Sequence, residues 1–430
     1  MRVSTGAGAW VVLVAACGSN PNRDPVPATP NAARDVVDTN LSFDVAAETG
    51  LATITFGPST EVGASLEVEG LTITQVTAED GTEILFTPAG DFGLDASTKP
   101  STVTIAYSYI THENFEGVSA HGWTLNWPYY CGNMFPCHSQ PSDGTTFELA
   151  LQNVPAGKTA VFPATIASPA PAYQLAWSID DYTEIELGTT TAGTMISTWW
   201  RPAGSNEMTK AMAGTQHLVA AFNWLETTLG AYTFGNHYGS VSVKWGPGAI
   251  GGMEHHPFIH IASPAIGDEN TQVHEASHGW FGDGIRLQCW EDFVLSEGTV
   301  SYLANRALDV VAPGTATWSA DAAELATRDG TDPVWPQTCG TIDVLKDKLF
   351  TRAVYDRGEF FYKGIADKIG ADKLDQALAA FYAAHHGDTG HMADMLTTIQ
   401  TVTGYDPTAC AQTWLLDRSS TTPPVPGACP

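Results

Sequence analysis

Two histidines four positions apart, His274 and His278, constrain the fold of this chain more than any other feature. On an α-helix, residues four apart lie on one face, so both imidazoles can reach one metal ion. Glu275 lies between them, where a carboxylate can deprotonate a water molecule beside that metal. The His-Glu-x-x-His pattern also arises by chance, so alone it is only suggestive. It predicts a helix that carries two metal ligands.

A third ligand is needed, because a catalytic zinc ion takes three protein ligands and keeps one open position. Glu297 is the candidate, since it follows His278 at a distance that allows a loop and a second, antiparallel helix. The choice of one Zn²⁺ ion over another metal rests only on the type of ligand. The alternative interpretation is a helical hairpin whose histidines are incidental.

The segment around these residues resembles the gluzincin family of aminopeptidase N and leukotriene hydrolase. Trp-Phe-Gly, Trp-x-Asp and Leu-x-Glu-Gly follow the two histidines in the order typical of that family. The resemblance implies that His274, His278 and Glu297 hold the zinc ion, with Glu275 as general base. It also implies that Glu291 and Asp292 orient a zinc ligand.

An upstream segment resembles the family's Gly-Ala/Gly-Met-Glu-Asn signature, and it comprises Gly251, Gly252, Met253, Glu254 and His255. The resemblance implies that this segment forms a strand edge along the substrate cleft. Glu254 then binds the free α-ammonium group through charge-assisted hydrogen bonds that an internal peptide cannot match. This favours an aminopeptidase. His255 departs from the signature, which has asparagine there.

A downstream segment, Tyr355-Asp-Arg-Gly358, resembles the family's Tyr-Glu-Lys-Gly segment. The resemblance implies that the Tyr355 hydroxyl stabilises the oxyanion of the tetrahedral intermediate. Tyr362 is the alternative for this role. His256 and His260 are expected to be strand residues and not additional ligands.

The N-terminal half reads as β structure, because short alternating runs are separated by Gly, Pro and Asp clusters. Four such strands are predicted, at Leu51–Phe56, Ala64–Glu69, Leu71–Val76 and Ser101–Tyr107. A segment there resembles the family's N-terminal saddle domain; it comprises Phe135-Pro136-Cys137-His138, Pro141 and Phe147-Glu148-Leu149, with His138 structural.

The resulting fold class is a multidomain chain, β and then α+β. We expect a β-sandwich or saddle domain at 39–200, a thermolysin-like zinc catalytic domain at 201–417 and a Pro-rich tail at 418–430. Within the second domain the sequence predicts a helix at Met208–Gly230 and a strand pair at Val241–Lys244 and Phe258–Ile261. Later helices are predicted at Lys346–Ala384 and Met392–Thr403.

The N-terminus resembles a bacterial lipoprotein signal. The apolar run there is too short to span a bilayer. It ends in Val14-Ala15-Ala16-Cys17, which resembles a lipobox. We expect a signal peptide at 1–17, acylation of Cys17, a disordered linker at 18–38 and attachment to the outer membrane of the bacterial envelope. The alternative is an ordinary secretory signal with an incidental cysteine.

Charge and cysteine content agree with export. Acidic residues outnumber basic ones 47 to 19, for a formal charge of −28, which argues against a nucleic-acid partner. Six cysteines remain beside Cys17, and an even number suggests disulfides. Proximity favours Cys131–Cys137 and Cys410–Cys429 among 15 possible connectivities, which leaves Cys289–Cys339.

We therefore expect a zinc metalloaminopeptidase that acts on peptides with a free N-terminus. The chain ends where the catalytic domain of the family ends, so the large C-terminal helical domain is expected to be absent. Three alternatives remain open: a zinc endopeptidase, an epoxide hydrolase on the same scaffold, and a non-catalytic envelope binding protein.

Overall fold

A computed structural model describes residues 34–87, 91–95, 98–202, 206–246 and 250–430. The predicted signal peptide and the acylation of Cys17 lie outside these ranges, and both stay predictions that mass spectrometry of the mature N-terminus can test. None of the helices in the described ranges combines the length and the apolar character needed to cross a membrane.

Twelve strands form the N-terminal domain within the described residues: β1 (Val36–Asp44), β2 (Thr49–Phe56), β3 (Ser65–Glu67), β4 (Thr72–Ala78), β5 (Asp91–Gly93), β6 (Thr102–Ser108), β7 (Gly117–Val118), β8 (Thr124–Leu125), β9 (Thr145–Gln152), β10 (Thr159–Val161), β11 (Thr165–Ala170) and β12 (Ser178–Asp180). A six-stranded sheet has the order β11-β9-β1-β2-β6-β4, with β1 antiparallel to β2 and parallel to β9. The period of two explains β2, because Ala52, Ile54 and Phe56 are buried while Leu51 is exposed. All four strands predicted here are confirmed.

The predicted linker extends too far into the chain. Strand β1 begins at Val36, before the expected end of the linker at residue 38. Arg34 precedes it and is also fixed, because its guanidinium donates to the carbonyl oxygens of Gly63 at 3.2 Å and Pro100 at 2.7 Å. These long-range bonds leave no local signal in the sequence.

The second domain is built on a five-stranded sheet of β13 (Thr183–Thr189), β14 (Met195–Trp200), β15 (His237–Val243), β16 (Gly252–Met253) and β17 (Phe258–Ala262), in the order β13-β14-β15-β17-β16. The predicted boundary near Trp200 is therefore wrong. Strand β14 pairs in parallel with β15, so the hairpin of β13 and β14 belongs to the second domain. The alternation of apolar and polar residues identified β13 and β14 as strands, but it could not show that β14 pairs with β15. Two short strands, β18 (Arg286–Leu287) and β19 (Thr389–Gly390), pair elsewhere in this domain.

Nine α-helices lie in the described part of this domain: α1 (Glu207–Gly214), α2 (Leu218–Leu229), α3 (Glu269–Ser277), α4 (Phe293–Val311), α5 (Trp318–Leu325), α6 (Arg352–Ile369), α7 (Ala371–His385), α8 (Met392–Thr403) and α9 (Thr408–Ala411). The helix predicted at Met208–Gly230 is two helices. The helical stretch predicted at Lys346–Ala384 begins only at Arg352 and consists of α6 and α7, which are separated at Gly370, whose φ is +96°. The prediction for α8 is confirmed, as is the order of a β domain followed by an α+β domain.

The three predicted disulfides, Cys131–Cys137, Cys289–Cys339 and Cys410–Cys429, are confirmed. The last one holds the C-terminal tail against α6, where the Cys429 amide donates to the Gly364 carbonyl at 3.0 Å.

Two glycines let α4 and α6 pack closely at the centre of the second domain. A Cβ atom added to Gly298 would lie 2.7 Å from the Gly358 Cα, and one added to Gly358 would lie 2.5 Å from the Gly298 Cα. Neither position accepts a side chain without separating the helices. Gly298 follows Glu297, and Gly358 lies three residues after Tyr355. The glycine contact therefore brings these two functional candidates to one cleft.

Candidate active site

Helix α3 presents the two histidines. The Asp268 carboxylate caps its N-terminus by accepting a hydrogen bond from the Thr271 amide at 2.8 Å. His274 lies in the last turn and His278 follows at the C-terminal cap, so their ring centroids are 5.1 Å apart. This is the arrangement that the spacing of four predicts.

Glu297 reaches both histidines from α4. Its Oε2 lies 3.1 Å from the Nε2 of His274 and 3.6 Å from the Nε2 of His278. One ligand atom from each of the three side chains lies within 4.8 Å of the other two. All three are largely buried, with side-chain exposures of 14%, 1% and 6%. The structure therefore brings the three predicted ligands together.

The His278 ring is held in one orientation. Its Nδ1 lies 3.0 Å from the carbonyl oxygen of Phe281 and 3.2 Å from the Oγ of Ser296. A proton on Nδ1 donated to that carbonyl leaves the lone pair of Nε2 directed at Glu297. Metal-binding histidines generally have such a partner on their second nitrogen.

The prediction that Glu291 and Asp292 orient a zinc ligand is wrong. The Glu291 carboxylate accepts from the backbone amides of Thr341 at 2.6 Å and Ile342 at 3.1 Å. The Asp292 carboxylate accepts from the Met392 amide at 3.0 Å. Both residues lie in the turn before α4, and their carboxylates hold the loop at Thr341 and the start of α8.

The electrostatics of this cluster suit a bound cation. Burial alone would raise the pKa of Glu297, but the imidazoles of His278 and His274 lower it to about 2. Burial alone would lower the pKa of His278, but the carboxylates of Glu297, Glu254 and Glu275 raise it to about 10. The carboxylates thus favour positive charge at this point. Two imidazole nitrogens and one carboxylate oxygen form a donor set that fits zinc.

Glu275 and Glu254 lie on the other side of His278. One ligand atom from each of these three residues lies within 4.8 Å of the other two. Burial raises the pKa of Glu275 well above its usual range and that of Glu254 to about 7. The Glu275 carboxylate packs against the Cα of Gly252, where a Cβ atom would overlap its Oε1. Glycine at this position thus leaves room for the carboxylate.

Strand β16 forms one wall of the cleft and is an edge strand of the five-stranded sheet. Gly251, Gly252, Met253 and Glu254 line the cleft as predicted. The side chain of His255 does not, because it turns into the core. Its Nδ1 lies 3.0 Å from the Nδ1 of His260, and the residue is 1% exposed.

Tyr355 faces the cleft from α6. Its ring stacks on that of His274, with the centroids 6.0 Å apart and the planes inclined by 20°. Burial raises the pKa of the Tyr355 hydroxyl well above its usual range, so the phenol keeps its proton. Tyr362 is fully buried, and its hydroxyl accepts from the Thr299 hydroxyl at 2.9 Å. Tyr362 therefore does not serve as the alternative.

Of the two histidines expected in strands, His260 lies in β17, whereas His256 lies in the turn before it. His256 and His138 both have structural contacts. The Nε2 of His256 lies 2.8 Å from the Glu275 carbonyl oxygen and so holds the backbone of α3. The Nε2 of His138 lies 2.8 Å from the carbonyl oxygen of Ser65.

The cleft has a volume of about 490 Å³. Sequence reasoning missed several residues on its lining: Trp127, Ser301, Asn305, Phe350, Arg352 and Glu359. Ser301 and Asn305 follow Glu297 at steps of four along α4, and Glu359 follows Tyr355 by four along α6. Helical periodicity could have found these three. Trp127 comes from the N-terminal domain and has no local signal.

Comparison with known proteins agrees with this geometry. Residues 267–414 match the Peptidase family M1 domain. The chain is 25% identical over 155 residues to aminopeptidase N from Streptomyces lividans, covering 34% of this chain and 18% of that protein. It is 26% identical over 277 residues to aminopeptidase B from Mus musculus, covering 57% of this chain and 40% of that protein. The chain thus spans less than half the length of these curated relatives.

Solved structures extend the similarity over both domains. The M1 zinc metallopeptidase from Deinococcus radiodurans superimposes with a TM-score of 0.74 at 19% identity, covering 92% of this chain and 95% of that one. A mutant of that protein bound to the substrate Tyr-Ser-Ala superimposes with a TM-score of 0.75, also at 19% identity, covering 91% and 96%. These similarities establish a shared two-domain fold.

Proposed function

We propose that this chain is a zinc aminopeptidase of the M1 metallopeptidase family of aminopeptidase N, whose domain matches residues 267–414. The observation that supports this most is a single cleft lined by the three candidate ligands together with Glu254, Glu275 and Tyr355. A site that only binds a metal ion would need neither Glu254 nor Tyr355. A peptidase that recognises a free amine uses a carboxylate such as Glu254 for the amine and a hydroxyl such as that of Tyr355 for the oxyanion.

One Zn²⁺ ion is the cofactor we propose, held by His274, His278 and Glu297. Zinc in such a site polarises a substrate carbonyl and favours deprotonation of water. The protein supplies the orientation of the ligands, since His278 is fixed by the Phe281 carbonyl and His274 packs on the Tyr355 ring.

Glu275 is the proposed general base. Its carboxylate lies beside the metal ligands and is held in place by the close contact with Gly252. It takes a proton from the attacking water and passes it to the leaving amine. The Tyr355 hydroxyl, which keeps its proton, donates a hydrogen bond to the oxyanion that develops on the scissile carbonyl.

Glu254 is the proposed binding group for the α-ammonium of the substrate. It is 4% exposed, and its carboxylate lies against His278. The free edge of β16 offers backbone groups to an extended substrate, as edge strands commonly do for peptides. Glu254 and the edge of β16 together select a peptide whose free N-terminus lies at Glu254 and whose chain runs past the metal ligands. The tripeptide complex of the Deinococcus protein supports this class of substrate.

Changing Glu254 to alanine tests this proposal. We expect kcat/KM for substrates with a free amine to fall by about ten- to a hundredfold, the size of one charge-assisted hydrogen bond at a buried site. Zinc content should not change, because Glu254 is not a proposed ligand. Steady-state kinetics with aminoacyl fluorogenic substrates measures the first quantity, and metal analysis measures the second.

Glu226→Gln is the matched control, because Glu226 is also buried but accepts a hydrogen bond from Thr194 away from the cleft. It should keep the wild-type kcat/KM. If Glu254→Ala retained full activity on free-amine substrates, the assignment of Glu254 would be wrong.

A further inference from the structure

The cleft is strongly acidic apart from one side chain. Its lining holds six carboxylates: Glu254, Asp268, Glu275, Glu297, Asp321 and Glu359. Among the described residues of the lining, Arg352 is the one arginine, and no lysine accompanies it. The position of this guanidinium in the cleft indicates which part of a substrate it can contact.

Arg352 lies beside the proposed oxyanion-binding tyrosine. It is the first residue of α6, and its Cζ is 5.0 Å from the centroid of the Tyr355 ring. That ring packs in turn on His274, while Glu254 lies against His278. The guanidinium is thus linked through Tyr355 to the ligand His274, whereas the amine-binding carboxylate neighbours the other histidine ligand, His278. The Arg352 side chain is 50% exposed, so a ligand can reach it.

The contacts of Arg352 within the protein are few. Its Nη2 lies 3.1 Å from the Oδ1 of Asp356, and its Nε lies 4.0 Å from the Oε1 of Glu324. Asp356 has a second basic partner, because the Nε of Arg328 donates to its Oδ2 at 3.2 Å. Neutralising Asp356 thus does not depend on Arg352 alone.

We propose that Arg352 binds the terminal carboxylate of di- and tripeptide substrates. The inference rests on the proposed aminopeptidase function and deepens it. An extended peptide advances about 3.3–3.6 Å per residue. A substrate held by Glu254 and cleaved at the metal ligands therefore brings its carboxyl end towards Tyr355 and Arg352 after one or two further residues. The planar guanidinium pairs with a carboxylate through two parallel hydrogen bonds.

The test compares Leu-Gly-Gly with its C-terminal amide on the zinc-loaded enzyme. Wild type should prefer the free acid by about five- to tenfold in kcat/KM, the size of a charge-assisted pair at a partly exposed site. Arg352→Gln should bring this ratio close to one, and Arg352→Lys should restore part of it. Added salt should also lower the wild-type ratio, since screening weakens an exposed pair.

Arg328→Gln is the matched control, because Arg328 shares Asp356 with Arg352 but does not line the cleft. It should keep the wild-type preference for the acid. An equal loss on acid and amide in Arg352→Gln would show that Arg352 only positions Tyr355, and would overturn the proposal. The proposal would also be overturned if Arg352 favoured an acidic side chain at the second residue of the substrate and not its terminal carboxylate. Amidated Leu-Asp-Gly, which has the acidic side chain but no terminal carboxylate, tests this.

The two levels of the proposal fail differently. If wild type cleaves none of these peptides, the aminopeptidase function itself fails. If wild type cleaves acid and amide at equal rates, only the assignment of Arg352 fails.

Discussion

Replacing Glu275 by glutamine is expected to lower kcat by about two to four decades, the usual contribution of a general base. Glutamine keeps the shape of the side chain, so it fits against Gly252, where the carboxylate already packs. It cannot accept the proton of the attacking water. Because Glu275 is not among the three proposed ligands, the variant should still bind one zinc ion per chain. Single-turnover kinetics and metal analysis on the same preparation measure both effects.

The Glu226→Gln variant serves again as the control for loss of a buried carboxylate outside the cleft. If Glu275→Gln kept more than a tenth of the wild-type kcat with full zinc content, water activation would have to come from another group. The proposed mechanism would then be wrong at its central step.

Removing the Tyr355 hydroxyl, in Tyr355→Phe, is expected to lower kcat by about 10²–10³, the cost of losing one donor to an oxyanion. KM should change little, because the hydrogen bond forms mainly as charge develops on the carbonyl oxygen. The ring remains, so the packing on His274 is kept. The pH dependence of kcat separates this loss from a shift in the general base.

Tyr362→Phe is the matched control on the same helix. Tyr362 is buried and hydrogen-bonded to Thr299, and it does not line the cleft. Its loss should lower the free energy of unfolding by about 1 kcal/mol, the usual value of one hydrogen bond, and leave kcat within a fewfold of wild type. Equal losses of kcat in the two variants would argue against a role for Tyr355 in the reaction.

The features that could be predicted from the sequence are those fixed by local geometry. The spacing of His274 and His278 determines that their rings share a helix face, and the structure shows this. The acidic residues after the histidines could not be assigned in the same way. Glu297 lies beside His274 and His278, whereas Glu291 and Asp292 accept hydrogen bonds from backbone amides far along the chain.

The features that could not be predicted depend on partners far away in the chain. Strand β14 belongs to the second domain because it pairs with β15, and nothing in its own residues shows this. Trp127 reaches the cleft from the other domain. Arg352 gains its position from the packing of α6 on α4, which the contact between Gly298 and Gly358 permits. A helix pattern predicts neither that contact nor the cleft beside it.

Mass spectrometry of the products from one peptide, offered with a free or an acetylated N-terminus, tests the proposed zinc aminopeptidase function most directly. The zinc-loaded enzyme should remove single residues from the free N-terminus and leave the acetylated peptide intact. A chelator should abolish the cleavage, and added zinc should restore it. Internal cleavage of the acetylated peptide at a comparable rate, or cleavage that survives chelation, would contradict the account.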